Sequence, residues 1–403
     1  MLSAAALILA AHAAAADTAA PPRPAQDDAP AVIVHHQPAL PFVALRLSVV
    51  APDPPGHAGA GHLMQHLLLP ALEEQAARVG ARVQAVRGAD AVVYSVVGPA
   101  SELDYLAGIL RGALRVPQPG QGELLSSLGR LAEERAAERE AAATYVRAAL
   151  RSRLFPADLP PAGTAEAAAR LETARLAELW GEMYAPERVS VVAVGDVELD
   201  DVRRAFRALP PPPSERLSAA PAADTVVSLA ADTPQATRGW IAAAYPAPEA
   251  DAAALTVTVR LLRNHLRRRM TRSAVEVEHW WTHHGQALAL VVATPDSLVP
   301  AARRTVDGAL GALGGTLNEG LVREAGEAVR REILFYSRTP ERMAEVLGAF
   351  ADRGGGPGGA QRFYARVGEV GEAEVRAVLE LLAAQEAATI LVPPQRIRRE
   401  SRR

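Results

Sequence analysis

The chain has 403 residues, no cysteine and a formal net charge of −3, and all 43 of its basic residues are arginine. Such a length accommodates two domains of about 200 residues, each with a sizeable core. Disulfides and thiolate metal ligands are excluded, the near-balanced charge argues against nucleic-acid binding or strong membrane attraction, and the apolar fraction of 49% is that of an ordinary globular protein.

The first apolar stretch, residues 1–11, leads into Ala-x-Ala triplets at 11–13 and 14–16 and then a Pro-, Ala- and Asp-rich run to residue 30. That order predicts a signal peptide over 1–16 and a disordered leader over 17–29, hence export to a bacterial periplasm, although no basic residue precedes the apolar run. The run is too short to span a bilayer and no later segment approaches the roughly 20 apolar residues required, so no transmembrane span is expected. From Phe42 to Val50, Leu45, Leu47 and Val49 alternate with Arg46 and Ser48, which predicts a strand with one buried face. A glycine-containing turn from Gly56 to Gly61 then opens an apolar helix. Residues 81–86 and 91–97 read as a hairpin around Arg87 to Asp90.

A helix is predicted over 122–149, with Leu124, Leu128 and Leu131 as its apolar stripe; Glu134 flanks the stripe and Glu133 points nearly opposite. Leu176 to Met183 reads as a helix and Val189 to Val194 as a buried strand ending at Gly195. Asp196 or Asp200 is the expected cap of a helix over 202–209. The run Pro210 to Pro213 cannot join a helix or a central strand, so it marks a semi-rigid linker over 210–222. The first domain then spans 30–209, the second 223–395, and a basic tail 396–403.

The second half repeats the order of the first. Strands are predicted over 240–245, 286–294 and 388–392, and helices over 252–270, 298–313, 317–337 and 372–385. A helix-then-strand finish in both halves points to a duplication. His279, Trp280, Trp281, His283 and His284 form a polar strand end lined with indoles; a metal site there is the alternative reading.

The chemistry is concentrated in His62-Leu63-Met64-Gln65-His66. Histidines four apart on a helix project from one face and can grip one metal ion. The inverted zinc-peptidase motif H-x-x-E-H adds a glutamate as general base for the metal-bound water. Here that position is Gln65, whose amide can orient a water by hydrogen bonds but cannot take its proton at neutral pH.

With the glycine turn before the motif, Leu67-Leu68-Leu69-Pro70 after it, and the helix, Tyr-x-Pro turn, apolar strand and Gly-Asp of residues 176–196, the chain resembles the insulinase-like zinc metallopeptidases, the group of pitrilysin and the mitochondrial processing peptidases. The resemblance covers nearly all of the chain after the leader. It implies an α+β protein of two similar sheet-and-helix sandwich domains. It implies zinc held by His62, His66 and Glu134, with Ser127 at a position that often carries a supporting glutamate. It also implies a substrate-binding arginine in the second half, matched by Arg272, followed seven residues later by His279 where the family has a tyrosine. The first hairpin strand lacks the asparagine usual there. The function implied is that of a non-catalytic homologue, inactive alone. It would be the heterodimeric partner of an intact H-x-x-E-H chain acting on peptides. A weakly active zinc endopeptidase and a purely structural member of the family are the alternatives.

Overall fold

A computed structural model describes residues 31–54, 56–88, 91–155, 163, 167, 170–185, 188–207, 236–282 and 285–394. The signal-peptide and leader assignments, the four-proline linker, the tail, His283 and His284 lie outside the described residues.

Two sheets organise the chain. The first holds β1 (Ala31–His36), β2 (Phe42–Val50), β3 (Arg82–Arg87), β4 (Ala91–Pro99) and β5 (Val189–Gly195) in the order β1-β5-β2-β4-β3, with β1 parallel to β5 and the other pairs antiparallel. The second holds β6 (Gly239–Pro246), β7 (Ala274–Thr282), β8 (Gly285–Thr294) and β9 (Ala388–Val392) in the order β7-β8-β6-β9, antiparallel throughout. The expected strands therefore form within a residue or two of their predicted ends.

The helices described in the first half are α1 (Ala60–Ala77), α2 (Leu103–Gly112), α3 (Gln121–Glu140), α4 (Ala142–Leu154), α5 (Thr173–Met183) and α6 (Leu199–Ala205). Those of the second are α7 (Ala252–Arg269), α8 (Val299–Asp307), α9 (Ala309–Gly314), α10 (Glu319–Tyr336), α11 (Pro340–Asp352), α12 (Gly359–Glu369) and α13 (Glu372–Ala383). Several expectations change in detail. The helix expected over 202–209 forms at Leu199–Ala205. Phe42 to Val50, expected to bury one face, is buried on both, Arg46 and Ser48 included, because helices pack on each side of it. The single helix over 122–149 is two, because Ala141 takes an extended conformation between α3 and α4. The helix over 298–313 is likewise broken at Gly308. Neither Asp196 nor Asp200 caps α6: Glu198 holds the cap position without a side-chain bond, and Asp200 lies in the first turn.

Period-two patterning sorts the two faces of each sheet. On the first sheet Val43, Leu45, Leu47 and Val49 pack with Leu63, Leu67, Leu106 and Leu110 of α1 and α2. The opposite face, with Ala44, Val192 and Val194, belongs to a core that extends into the second half, where α11 lies against β2 and β5. On the second sheet Ile241, Leu288, Leu290 and Val292 pack with α7 and the helices around it. Its opposite face, with Ala242, Ala244, Ala289 and Val291, is covered by Val146 and Leu150 of α4 together with Phe155. Each half thus lends one helix to the other half's sheet. No helix among the described residues is long and apolar enough to cross a membrane.

Candidate metal centre

The chain entering α1 is shaped by a buried ion pair. Asp53, three residues after β2, accepts hydrogen bonds from the backbone N–H groups of Gly59 (2.7 Å) and Gly61 (2.9 Å). Arg87, the last residue of β3, donates to Asp53 Oδ1 and to Ala51 O, both at 3.1 Å, and both charged side chains are almost wholly enclosed. Gly59 sits at φ +94°, a left-handed conformation that glycine adopts without strain. Gly61 has no room for a side chain: a Cβ there would lie 2.8 Å from Met183 Cε and 3.0 Å from Asp53 Oδ1. The glycine turn is therefore a consequence of close packing, and it fixes the helix phase that aims the histidines.

His62 and His66 stack on one face of α1, with ring centroids 4.7 Å apart and planes inclined by 19°. Across from them, Glu134 of α3 places Oε2 3.0 Å from His62 Nε2 and Oε1 3.4 Å from His66 Nε2. The histidine side chains are largely enclosed, whereas Glu134 is about half exposed. Burial pushes the His66 pKa down, the neighbouring Glu134 pulls it up, and Arg130 adds to the lowering; the net direction is down, which favours the neutral imidazole a metal needs. Burial, reinforced by Glu134, raises the Glu138 carboxyl one turn on.

One potential donor atom from each of His62, His66 and Glu134 lies within 4.8 Å of the others, and among the described residues no second group of this kind occurs. Ligand bonds of about 2.0–2.2 Å in tetrahedral array put donor atoms roughly 3.4 Å apart, so the observed spacing fits a zinc-sized ion with little movement. The donor set suits zinc as well, being two imidazoles and a carboxylate.

Two contacts tie α1 to α3 and β3 at this point. Pro70 has no N–H, so the carbonyl of His66, four residues earlier, loses its helical donor. Arg130 of α3 approaches that oxygen at 3.5 Å while donating to Ser127 Oγ at 3.2 Å. Ser127 is fully buried, and the inward stripe of α3 is Leu124, Ser127 and Leu131, with Leu128 only half-buried. Gln65 is buried, and its Nε2 donates to the backbone oxygen of Ala85 on β3 at 3.0 Å. Its Oε1 has no hydrogen-bond partner among the described residues.

The second-half candidates sit on other elements, one in a turn and one on β7. Arg272 lies in the exposed turn between α7 and β7 with no hydrogen bond or ion pair among the described residues. His279, on β7, is a core residue: Thr256 Oγ1 is 2.9 Å from Nδ1, Gln286 Oε1 is 3.0 Å from Nε2, and Trp281 stacks on the ring at 5.6 Å. Burial lowers its pKa to about 4, so it is neutral at pH 7. Sequence reasoning missed Asp53, Arg87 and Arg130. The first two had a readable trace, an aspartate just before the glycine turn and an arginine at the hairpin, but their pairing needs the sheet.

Solved structures match this architecture over almost its full length. An inactive domain of peptidase M16 from Pseudomonas fluorescens superposes with a TM-score of 0.74 at 15% identity, covering 90% of this chain and 95% of that one. A protease from Helicobacter pylori gives 0.73 at 13% identity, covering 90% and 97%. A protein from Alicyclobacillus acidocaldarius described as an M16-like peptidase gives 0.69 at 13% identity, covering 90% and 96%. The chain has the M16-like peptidase fold. No family model matches the sequence, and no curated relative matches it. The M16-like fold agrees with the insulinase-like reading of the motif, and it accounts for the two α+β halves.

Proposed function

We propose that this chain is a non-catalytic homologue of the M16 zinc peptidases. It keeps the metal grip, holds peptide as one wall of a two-chain chamber, and serves as partner subunit of a homologue with an intact H-x-x-E-H motif. The observation that carries the reading is Gln65: the residue between the two histidines is an amide engaged with a backbone carbonyl, not a carboxylate free to accept a proton. The inactive M16 domain among the matching folds supports it. Zinc bound by His62, His66 and Glu134 would polarise a substrate carbonyl and a bound water. Without a general base such a centre forfeits about 10²–10⁴ in rate. Export to the periplasm belongs to the same proposal.

The test has three arms. Purified without chelator and supplemented with zinc, the chain should hold about one zinc ion per molecule, and His62→Ala and Glu134→Ala variants should hold much less. It should cleave unstructured peptides no faster than a His66→Ala control, and co-purify with the intact homologue when the two are co-expressed. Chelator-sensitive turnover well above the control would overturn the non-catalytic reading. A chain that stays monomeric and leaves the homologue's activity unchanged would overturn the partner role.

A further inference from the structure

Gln65 stands where the reacting proton acceptor would be, but its hydrogen bond reaches outward to a sheet edge. Among the described residues β3 is the last strand of the first sheet, paired only with β4. The phase of that pairing is fixed at the turn, where Gly88 N donates to Ala91 O at 2.8 Å. Gly88 therefore bonds β4. By the two-residue period of an antiparallel ladder so do Val86, Gln84 and Arg82, whereas Arg87, Ala85 and Val83 turn their N–H and C=O groups away from it. The carbonyl of Ala85 is thus one of the free acceptors of the edge, the kind of group an added strand would need. Gln65 Nε2 occupies it at 3.0 Å. Only the NH₂ end of the amide can donate to a carbonyl, so the bond also fixes which way the side chain is turned.

We infer that Gln65 is a brace: it ties the histidine-bearing helix α1 to the free edge of β3 and takes the Ala85 carbonyl, so that this edge is closed to an added peptide strand at that residue. The inference builds on the non-catalytic reading of the site but stands on a different observable. It has a consequence for the obvious repair of the motif. A Gln65→Glu side chain in the same rotamer would set a carboxylate oxygen about 3 Å from the Ala85 oxygen, with no proton between them. The carboxylate must leave that position, so Gln65→Glu loses the brace as well as gaining a base.

The test compares the unmodified chain with Gln65→Met, which keeps length and volume but has no donor, and with Gln65→Glu. The probe is a fluorescein-labelled twelve-residue peptide of Thr, Val and Arg residues. Freeing one strand acceptor should tighten its binding about twofold to tenfold in Gln65→Met, the range of one net hydrogen bond. Backbone amides of β3 should exchange faster with solvent in both variants, while those of β6 and β8 keep their rates. A measurement on the unmodified chain covers the case of a variant that misfolds. With glutamine labelled with nitrogen-15, the Gln65 side-chain NH₂ should exchange slowly, as a bonded buried amide does. Equal peptide affinity and equal β3 exchange in Gln65→Met, or a fast-exchanging Gln65 amide in the unmodified chain, would overturn the brace. Cleavage of the peptide by the unmodified chain would overturn the non-catalytic reading and leave the brace standing.

Discussion

The histidines of α1 owe their position to residues that touch no metal. Asp53 receives two backbone N–H groups of the glycine turn and one guanidinium, all out of solvent. Removing one member of a buried pair leaves an uncompensated charge, at a cost of about 3–5 kcal/mol. Arg87→Met is therefore expected to lower stability by that order in denaturant unfolding, and to weaken the zinc binding proposed above because Gly59 and Gly61 lose their fixed anchor. A variant as stable as the unmodified chain would show that Asp53 is neutralised some other way. His279 makes a second case, this time from titration. Its pKa is lowered by burial to about 4, against 6.5 when exposed. Between those values the unfolded chain binds the extra proton, so stability is full above pH 6.5 and declines as pH falls toward 4, by on the order of 3 kcal/mol in all. The stability difference between pH 7 and pH 5 should shrink in His279→Phe. An unchanged difference would assign the acid sensitivity to other groups.

Several strands and helices were legible because they carried a clean period or an unbroken apolar run. Phe42 to Val50 alternates, and it is a strand over those same residues. That His62, His66 and Glu134 come together was legible for a different reason: the histidine spacing has a chemical meaning, and Glu134 flanks the α3 stripe that buries Leu131. What was missed depends on partners distant in sequence. β1 is six residues long and is a strand because it pairs with β5, some 160 positions later. α11 and α12 flank a glycine-rich run over 354–358, and neither was among the expected helices. The break at Ala141 has no Gly or Pro to announce it. Its reason is tertiary: α3 must face α1, while α4 must face the other sheet. Leu150 of α4 is fully buried against that second sheet. Leu150→Ala is expected to cost about 2–5 kcal/mol, a destabilisation that a merely surface helix would not show. Chemical denaturation reads it directly, and a cost under about 1 kcal/mol would mean that α4 is not a structural part of the second half.

At the scale of the molecule the two halves are one topology used twice. β5-β2-β4-β3 and β9-β6-β8-β7 have the same order, α1 and α7 each connect the first two strands of their set, and β1 is the addition that distinguishes the first half. α4 and α11 occupy equivalent places after the third strand of each set, and they are the two helices exchanged between the sheets. The exchange is pinned by a buried ion pair. Arg46 on β2 donates to Asp352 at the end of α11 over 2.7 Å, and Ser190 adds a hydrogen bond of 3.0 Å. Burial alone would raise the Asp352 carboxyl. The Arg46 guanidinium and the Ser48 and Ser190 hydroxyls outweigh it and hold the pKa below the usual carboxylate value. The stabilisation from Asp352 is thus present at neutral pH and lost only as pH falls through that depressed value. Because each sheet relies on a helix of the other half, neither half can unfold and leave its neighbour's core intact, so both should melt together. Trp180 reports on the first half, and Trp240, Trp280 and Trp281 on the second. In single-half tryptophan variants the two sets should give coincident unfolding curves. Asp352→Asn strands the Arg46 charge and should move both curves by the same amount, about 3–5 kcal/mol. A shift confined to the second-half tryptophans would mean that the halves are separate folding units which merely touch.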